Sequence, residues 1–186
     1  MKLLELRDCI ERSPIIATVQ KNFFEYALKS PCEIIFHMNA SLPDIQKIIT
    51  DAHAAGKKIF IHIDLADGLG KDKTGVEYLA QCGADGIIST RAQLIRYAND
   101  AGLLTVQRFF ALDSKGVEAI GEILESVKPS LIEIIPGVIG KVIKRFAGGS
   151  IPVIAGGLIE TKAEVTDAIN NGAEAVSTGM TDLWYL

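Results

Sequence analysis

The feature that most constrains this chain is a repeated switch of hydrophobic period. Short runs rich in Ile, Val and Phe alternate with longer stretches whose apolar residues recur at three and four. Candidate strands lie at 14–19, 33–38, 58–64, 86–89, 103–109, 131–136, 152–155 and 175–178. They are short and largely apolar, as strands covered on both faces must be. Between them, Leu42-x-x-Ile45-x-x-Ile48-Ile49-x-x-Ala52 and Val117-x-x-Ile120-x-x-Ile123-Leu124 each set one apolar stripe against a sheet. Gly56, Gly83, Gly102, Gly148 and Gly172 stand where helices end, the position that favours a left-handed residue. Two of these joins nearly repeat, as Gly83-Ala-Asp-Gly-Ile87 and Gly172-Ala-Glu-Ala-Val176. An unbroken series of about eight such units predicts an α/β fold, a single TIM-like (β/α) barrel. An open doubly wound sheet is the competing fold, and no unit breaks the rhythm in its favour.

Length sharpens this expectation. At 186 residues the chain is short for a barrel, which typically takes about 250 and at least about 200. The barrel must therefore be compact, with an incomplete final helix, because only residues 179–186 follow the eighth strand. The helical pattern at 3–10 is expected to cover part of that gap. No linker or low-complexity tract interrupts the chain, so residues 1–186 are expected to form a single (β/α) barrel domain.

Composition excludes several classes. The formal net charge is −4, so no global basic field marks a nucleic-acid or anionic-membrane binder, and any anion site must be local. The three cysteines, at 9, 32 and 82, have no C-x-x-C spacing, which argues against a disulfide framework or a zinc site and for a reducing cytoplasm. Charges run through the N-terminal stretch MKLLELRDCIERS, against a signal peptide. No apolar run nears the roughly 20 residues of a membrane span, so a cytoplasmic location and no membrane partner are expected.

In such barrels the loops after the strands build the ligand site. The strongest local motif is Ile154-Ala-Gly-Gly157 after the seventh strand, joined by Ser177-Thr178-Gly179 after the eighth. Glycines there let backbone N–H groups approach an anion, and a helix N-terminus adds a favourable dipole. Gly156, Gly157, Thr178 and Gly179 are thus expected to hold a phosphate, although the glycines also suit a plain tight turn. The third strand reads Lys58-Ile-Phe-Ile-His-Ile-Asp64, and alternation puts His62 and Asp64 on the inward face with Phe60. Glu133 makes a similar case from the sixth strand, and Gln107 or Arg108 from the fifth, where only one of the two can face inward. This ring reads equally as acid/base machinery, as a Mg²⁺ site on Asp64 and Glu133, or as a set that binds ligand hydroxyls or satisfies itself. No cofactor or metal is required by the sequence; Asp64 and Glu133 are the candidates if a metal binds.

Weaker signals surround these. Ser89 or Thr90 is placed to cap the next helix, and Arg91 near that helix start calls for an acidic partner or an anion. The loop at 65–74, with Gly68, Gly70, Lys71 and Lys73, suits either a mobile lid or a solvated loop. His53 reads as a surface residue.

Taken in order, several motifs carry a resemblance. His62-Ile-Asp-Leu65, Gly86-Ile-Ile-Ser-Thr-Arg91, Gln107-Arg-Phe-Phe-Ala-Leu-Asp113 and Ile132-Glu-Ile-Ile-Pro-Gly137 come first. Ile151-Pro-Val-Ile-Ala-Gly-Gly157, Gly172-Ala-Glu-Ala-Val-Ser-Thr178 and Leu183-Trp184 complete the set. The chain resembles, nearly end to end, the glycerol uptake operon antiterminator regulatory proteins, which respond to glycerol 3-phosphate. The resemblance implies a sensor rather than an enzyme, with glycerol 3-phosphate and the leader mRNA of glycerol-utilisation genes as partners. The glycerol portion would then meet His62, Asp64, Gln107 or Glu133, with Arg91 and Arg108 as further candidates. A metal-assisted or acid/base enzyme acting on a small phosphorylated metabolite, such as a glycerophosphodiester, is the alternative. A Schiff-base aldolase would want a strand lysine, and Lys58 lies at the wrong end of its strand. A homodimer is possible. Lys141, Lys144 and Arg145 are local cations after the sixth strand, though such a set usually marks a solvated helix face.

Overall fold

The computed structural model describes residues 3–186; the first two residues of the expected domain lie outside the described residues. Eight parallel strands close into a barrel in chain order. They are β1 (Ile15–Val19), β2 (Ile34–His37), β3 (Lys58–His62), β4 (Gly86–Ser89), β5 (Leu104–Phe110), β6 (Leu131–Ile135), β7 (Val153–Gly156) and β8 (Ala175–Thr178). Closure is made by β1 against β8, with Ile16 opposite Ser177. The helices are α1 (Leu3–Arg12), α2 (Phe24–Lys29), α3 (Ile45–Ala54), α4 (Lys73–Gln81), α5 (Ala92–Asp100), α6 (Ser114–Val127), α7 (Gly140–Phe146) and α8 (Lys162–Asn170).

Strand alternation sorts the core into two shells. Ile16, Phe36, Phe60, Ile88, Val106, Leu131 and Ile154 pack together inside the barrel. Ile35, Ile59, Ile61, Ile87, Ile132, Ile134 and Val176 face the helices. The interior is filled by side chains, with Phe36 and Phe60 tilted together at 5.5 Å between ring centroids. Gly86 makes room for this pair, since a Cβ there would meet the Phe60 ring at 2.4 Å.

The helix position after β8 is filled differently from the sequence expectation. Leu6, Cys9 and Ile10 of α1 join the interior cluster, so α1 plugs the N-terminal mouth of the barrel rather than flanking its side. A 3₁₀ turn, Thr181–Tyr185, covers the side instead. Its buried Trp184 donates an indole N–H to the Thr178 carbonyl at 2.9 Å, and the Cys32 thiol donates to the Trp184 carbonyl. Among the described residues no helix is long and apolar enough to cross a membrane.

Candidate functional site

The strand ends and the loops after them form the polar end of the molecule. Over β5 to β8 and β1 they enclose a cavity of about 250 Å³. Its walls include Thr18, Arg108, Glu133, Gly157, Leu158, Ser177 and Gly179, with Glu160 among its lining residues.

The polar floor is one network. Glu133, only 1% exposed, accepts from Arg108 Nε at 2.6 Å and from Ser177 Oγ at 2.5 Å. Arg108 is itself buried and reaches the Met38 sulfur with Nη2. Two opposite charges taken out of water in this way must be paired, and the hydroxyl fills a remaining lone pair. Gly156 is required by the same network. A Cβ at 156 would stand 2.4 Å from Glu133 Oε1 and 2.6 Å from Ser177 Oγ. Gly156 therefore makes space for a carboxylate, a different reason from the anion cradle that its motif suggests.

The opening of the cavity lies above this floor. Gly157 and Leu158 both adopt left-handed backbone, at φ 70° and 59°. For Leu158 this is a strained state, and such strain costs of order 1–3 kcal/mol and clusters at ligand sites. Successive residues of this kind turn their amides into a concavity suited to an anion. Among the described residues, the amides of Gly157, Leu158 and Gly179 donate to no protein acceptor. A Cβ on Gly179 would find open space, with only the Thr18 carbonyl at 3.6 Å, so its glycine keeps the cavity wall low. Thr178 contributes through the scaffold: its hydroxyl donates to the Ile159 carbonyl at 2.8 Å and accepts the Met180 amide at 3.1 Å, tying the two glycine loops together. The N-terminus of α8 is already occupied. A capping box gives Glu164 the amides of Glu160 and Thr161, which hold its carboxyl below the usual range, so the dipole expected to help an anion meets a carboxylate instead.

The inward ring read from the sequence divides into two networks. β3 ends at His62, and Ile63–Leu65 form a 3₁₀ turn that breaks the alternation expected to continue to Asp64. Asp64 instead accepts from Ser89 Oγ, from the Thr90 amide at 2.7 Å and from Thr90 Oγ1, with Arg91 Nε at 3.5 Å. Arg91 thus finds its acidic partner, and neither Ser89 nor Thr90 caps α5. Gln107 is the correction on β5: Arg108 takes the inward position, so Gln107 faces the helical layer, where its amide donates to the Thr90 carbonyl at 2.9 Å. Asp64, Arg91 and Gln107 brace the tops of β3 to β5 and do not line the cavity. Asp64 and Glu133 belong to separate networks, and among the described residues no cluster of three or more His, Cys, Asp or Glu is placed to hold a metal.

His62 is buried with Nδ1 lacking a partner, and burial together with the Arg108 charge pushes its imidazole down to about 4. Thr18 Oγ1 is a second unpartnered atom, and it belongs to the cavity wall. Thr18 is not among the candidates read from the sequence, and Ser177 entered them only as part of the motif with Thr178 and Gly179. The available signal was a hydroxyl at an inward position of an otherwise aliphatic strand, Ile15-Ile-Ala-Thr-Val19. The loop at 65–74 is pinned by Leu42 and Asp67 backbone bonds, by Lys71 Nζ on the Ala66 carbonyl and by Asp72 capping α4. His53 is more than surface, bonding buried Asp85 at 2.9 Å at the opposite end of the barrel.

Residues 15–184 match the family model of the glycerol-3-phosphate responsive antiterminators. The Escherichia coli (strain K12) protein YgcP is 34% identical over 192 residues, covering 100% of this chain and 97% of that protein. Among solved structures, the glycerol uptake operon antiterminator regulatory protein of Listeria monocytogenes superimposes with a TM-score of 0.86 at 34% identity, covering 91% and 94% of the two chains. A glycerol uptake operon antiterminator-related protein of Thermotoga maritima gives 0.83 at 29% identity, covering 92% and 98%.

Proposed function

The chain belongs to the glycerol-3-phosphate responsive antiterminator family, and from that premise we propose that it is a cytoplasmic sensor whose barrel-end cavity takes glycerol 3-phosphate and whose liganded form engages leader mRNA. The observation that carries this reading is the pairing, in one cavity of about 250 Å³, of three amides that have no protein acceptor among the described residues with a buried charged floor. The volume lies just below the range of drug-sized pockets, as suits a metabolite of about ten non-hydrogen atoms. The phosphate sits on the amides of Gly157, Leu158 and Gly179. The glycerol hydroxyls point down to Arg108, Glu133 and Thr18; His62 is not among the residues that line the cavity.

Regulation follows from linkage: glycerol 3-phosphate raises RNA affinity to the extent that it binds the RNA-competent form more tightly. No turnover is needed. Among the described residues Lys58 is the one strand lysine, and it sits at the far end of the barrel, away from any carbonyl held in the cavity.

Calorimetric titration with glycerol 3-phosphate, glycerol and inorganic phosphate tests the site, with Gly157→Val as the contrast. Wild type should bind glycerol 3-phosphate more tightly than either control, and the variant should lose at least tenfold in affinity. The same variant should cost only about 1–2 kcal/mol of stability for placing a side chain at positive φ, with Ile135 Cγ2 at 3.0 Å from the new Cβ. Equal affinities for all three compounds, or an unchanged affinity in Gly157→Val, would overturn the assignment.

A further inference from the structure

We infer that the groove between α6 and α7 is the surface that contacts RNA, taking a short single-stranded segment; this rests on the RNA-binding reading above. Two cavities lie end to end between these helices, of about 690 Å³ beside their C-terminal halves and about 330 Å³ beside their N-terminal halves. Arg145 borders both. At 1.5 Å per residue, the 14 residues of α6 give the groove a length of about 21 Å.

Its chemistry fits a nucleotide chain. The larger cavity has an apolar floor of Leu124, Ile132 and Ile151, a base-sized space beside the half-buried Phe146 ring. Arg145 lies 6.0 Å from the centre of that ring. An aromatic face with a guanidinium beside it is a stacking platform that accepts any base. Exposed Lys128 and Arg145 line this cavity, exposed Lys141 and Arg145 line the smaller one, and exposed Lys144 lies next to Arg145 on α7. Among the described residues none of the four makes a salt bridge, whereas Lys47 and Lys73 on other helices pair with acids on their own helix. α7 carries three of the four and no acidic residue; the carboxylates in the lining are Glu125 of α6 and Asp113, which accepts the Gly116 amide at the start of α6. On a chain of net charge −4 this is a local excess of positive charge, the electrostatic requirement for holding a phosphate backbone.

The groove also touches the ligand loop. α7 is launched by the turn after β6, and Gly137 in that turn donates its N–H to the carbonyls of Gly156 at 2.6 Å and Gly157 at 3.1 Å. A Cβ at 137 would stand 2.7 Å from the Gly156 nitrogen, so the two loops meet backbone to backbone. An anion on the Gly157 amide therefore bears on the turn that positions α7.

The test uses a fluorescein-labelled RNA covering the untranslated leader of a glycerol-utilisation gene from the same genome, titrated by anisotropy with and without glycerol 3-phosphate. The variant is Lys141→Gln/Lys144→Gln/Arg145→Gln, and the control is Lys29→Gln/Lys73→Gln on distant helices. Expected are at least a tenfold loss of RNA affinity in the triple variant and none in the control. The plot of log affinity against log salt should flatten by about 2, since each lost contact to a single strand removes about 0.7. Calorimetry should find glycerol 3-phosphate binding unchanged in the triple variant. Wild-type affinity and slope in the triple variant would overturn the surface while leaving the RNA reading intact. Failure of the wild-type protein to bind the leader in either condition would overturn both. Intact RNA binding with loss of antitermination in a purified transcription reaction would assign the groove to a protein partner.

Discussion

Glu133→Ala is the perturbation whose size follows most directly from the structure. Glu133 and Arg108 have side chains 1% and 8% exposed and meet at 2.6 Å, and Ser177 bonds the other carboxylate oxygen. Removing the carboxylate strands a buried guanidinium, which costs about 3–5 kcal/mol. The orphaned Ser177 hydroxyl adds about 1 kcal/mol. For a chain of this length each kcal/mol moves Tm by about 2–4 °C, so the melting point should fall by roughly 10–20 °C. The companion variant is Arg108→Met/Glu133→Leu/Ser177→Ala, which removes all three polar groups together. Its stability should return to within about 2 kcal/mol of wild type, because no buried charge is left unpaired. Its affinity for glycerol 3-phosphate should still fall more than about 100-fold, because charged contacts contribute about 1.5–3 kcal/mol each. Denaturant unfolding and calorimetric titration read the two effects separately. A wild-type midpoint for Glu133→Ala would refute the desolvation argument. Wild-type affinity in the companion variant would remove the floor from the ligand site.

Two further outcomes follow from the same geometry. Asp64→Asn should cost about 1–3 kcal/mol, because Asp64 accepts from Ser89 and Thr90, yet leave glycerol 3-phosphate affinity within twofold, because it does not line the cavity; a selective loss of affinity by calorimetry would place Asp64 in the site after all. Acid should destabilise the fold through His37 and His62, whose burial lowers each imidazole to about 4. The unfolded chain binds these protons near 6.5 and the folded one does not, so stability falls as pH drops from about 7 toward 4, by about 2 kcal/mol per histidine at pH 5. Melts of His37→Leu against wild type at pH 7.5 and pH 5 check this, and an equal acid shift in both would refute it.

The sequence by itself determined the barrel. Its eight strands are legible because a strand buried on both faces must be short and apolar, and a helix laid on a sheet must show one stripe, so apolar runs and a period of about 3.6 are written locally. The glycine loops at 156–157 and 179 were legible for a related reason, since the seventh and eighth loops hold fixed places in that topology. Tertiary structure alone decided which polar residues meet. Whether Gln107 or Arg108 points inward depends on the phase of β5 against β4 and β6, and adjacent residues on one strand carry no local mark of that phase. Asp64 left the ring because β3 gives way to a 3₁₀ turn at Ile63, where hydrogen bonds to Ser89 and Thr90, 25 and 26 residues away, outweigh continued alternation. Gly156 reads as a turn glycine in sequence, and only the Glu133 carboxylate beside it, 23 positions back along the chain, explains why no larger residue fits. Helix α1 shows an apolar stripe whatever it packs against; that it plugs the barrel mouth follows from the one apolar surface left uncovered when the eight strands close.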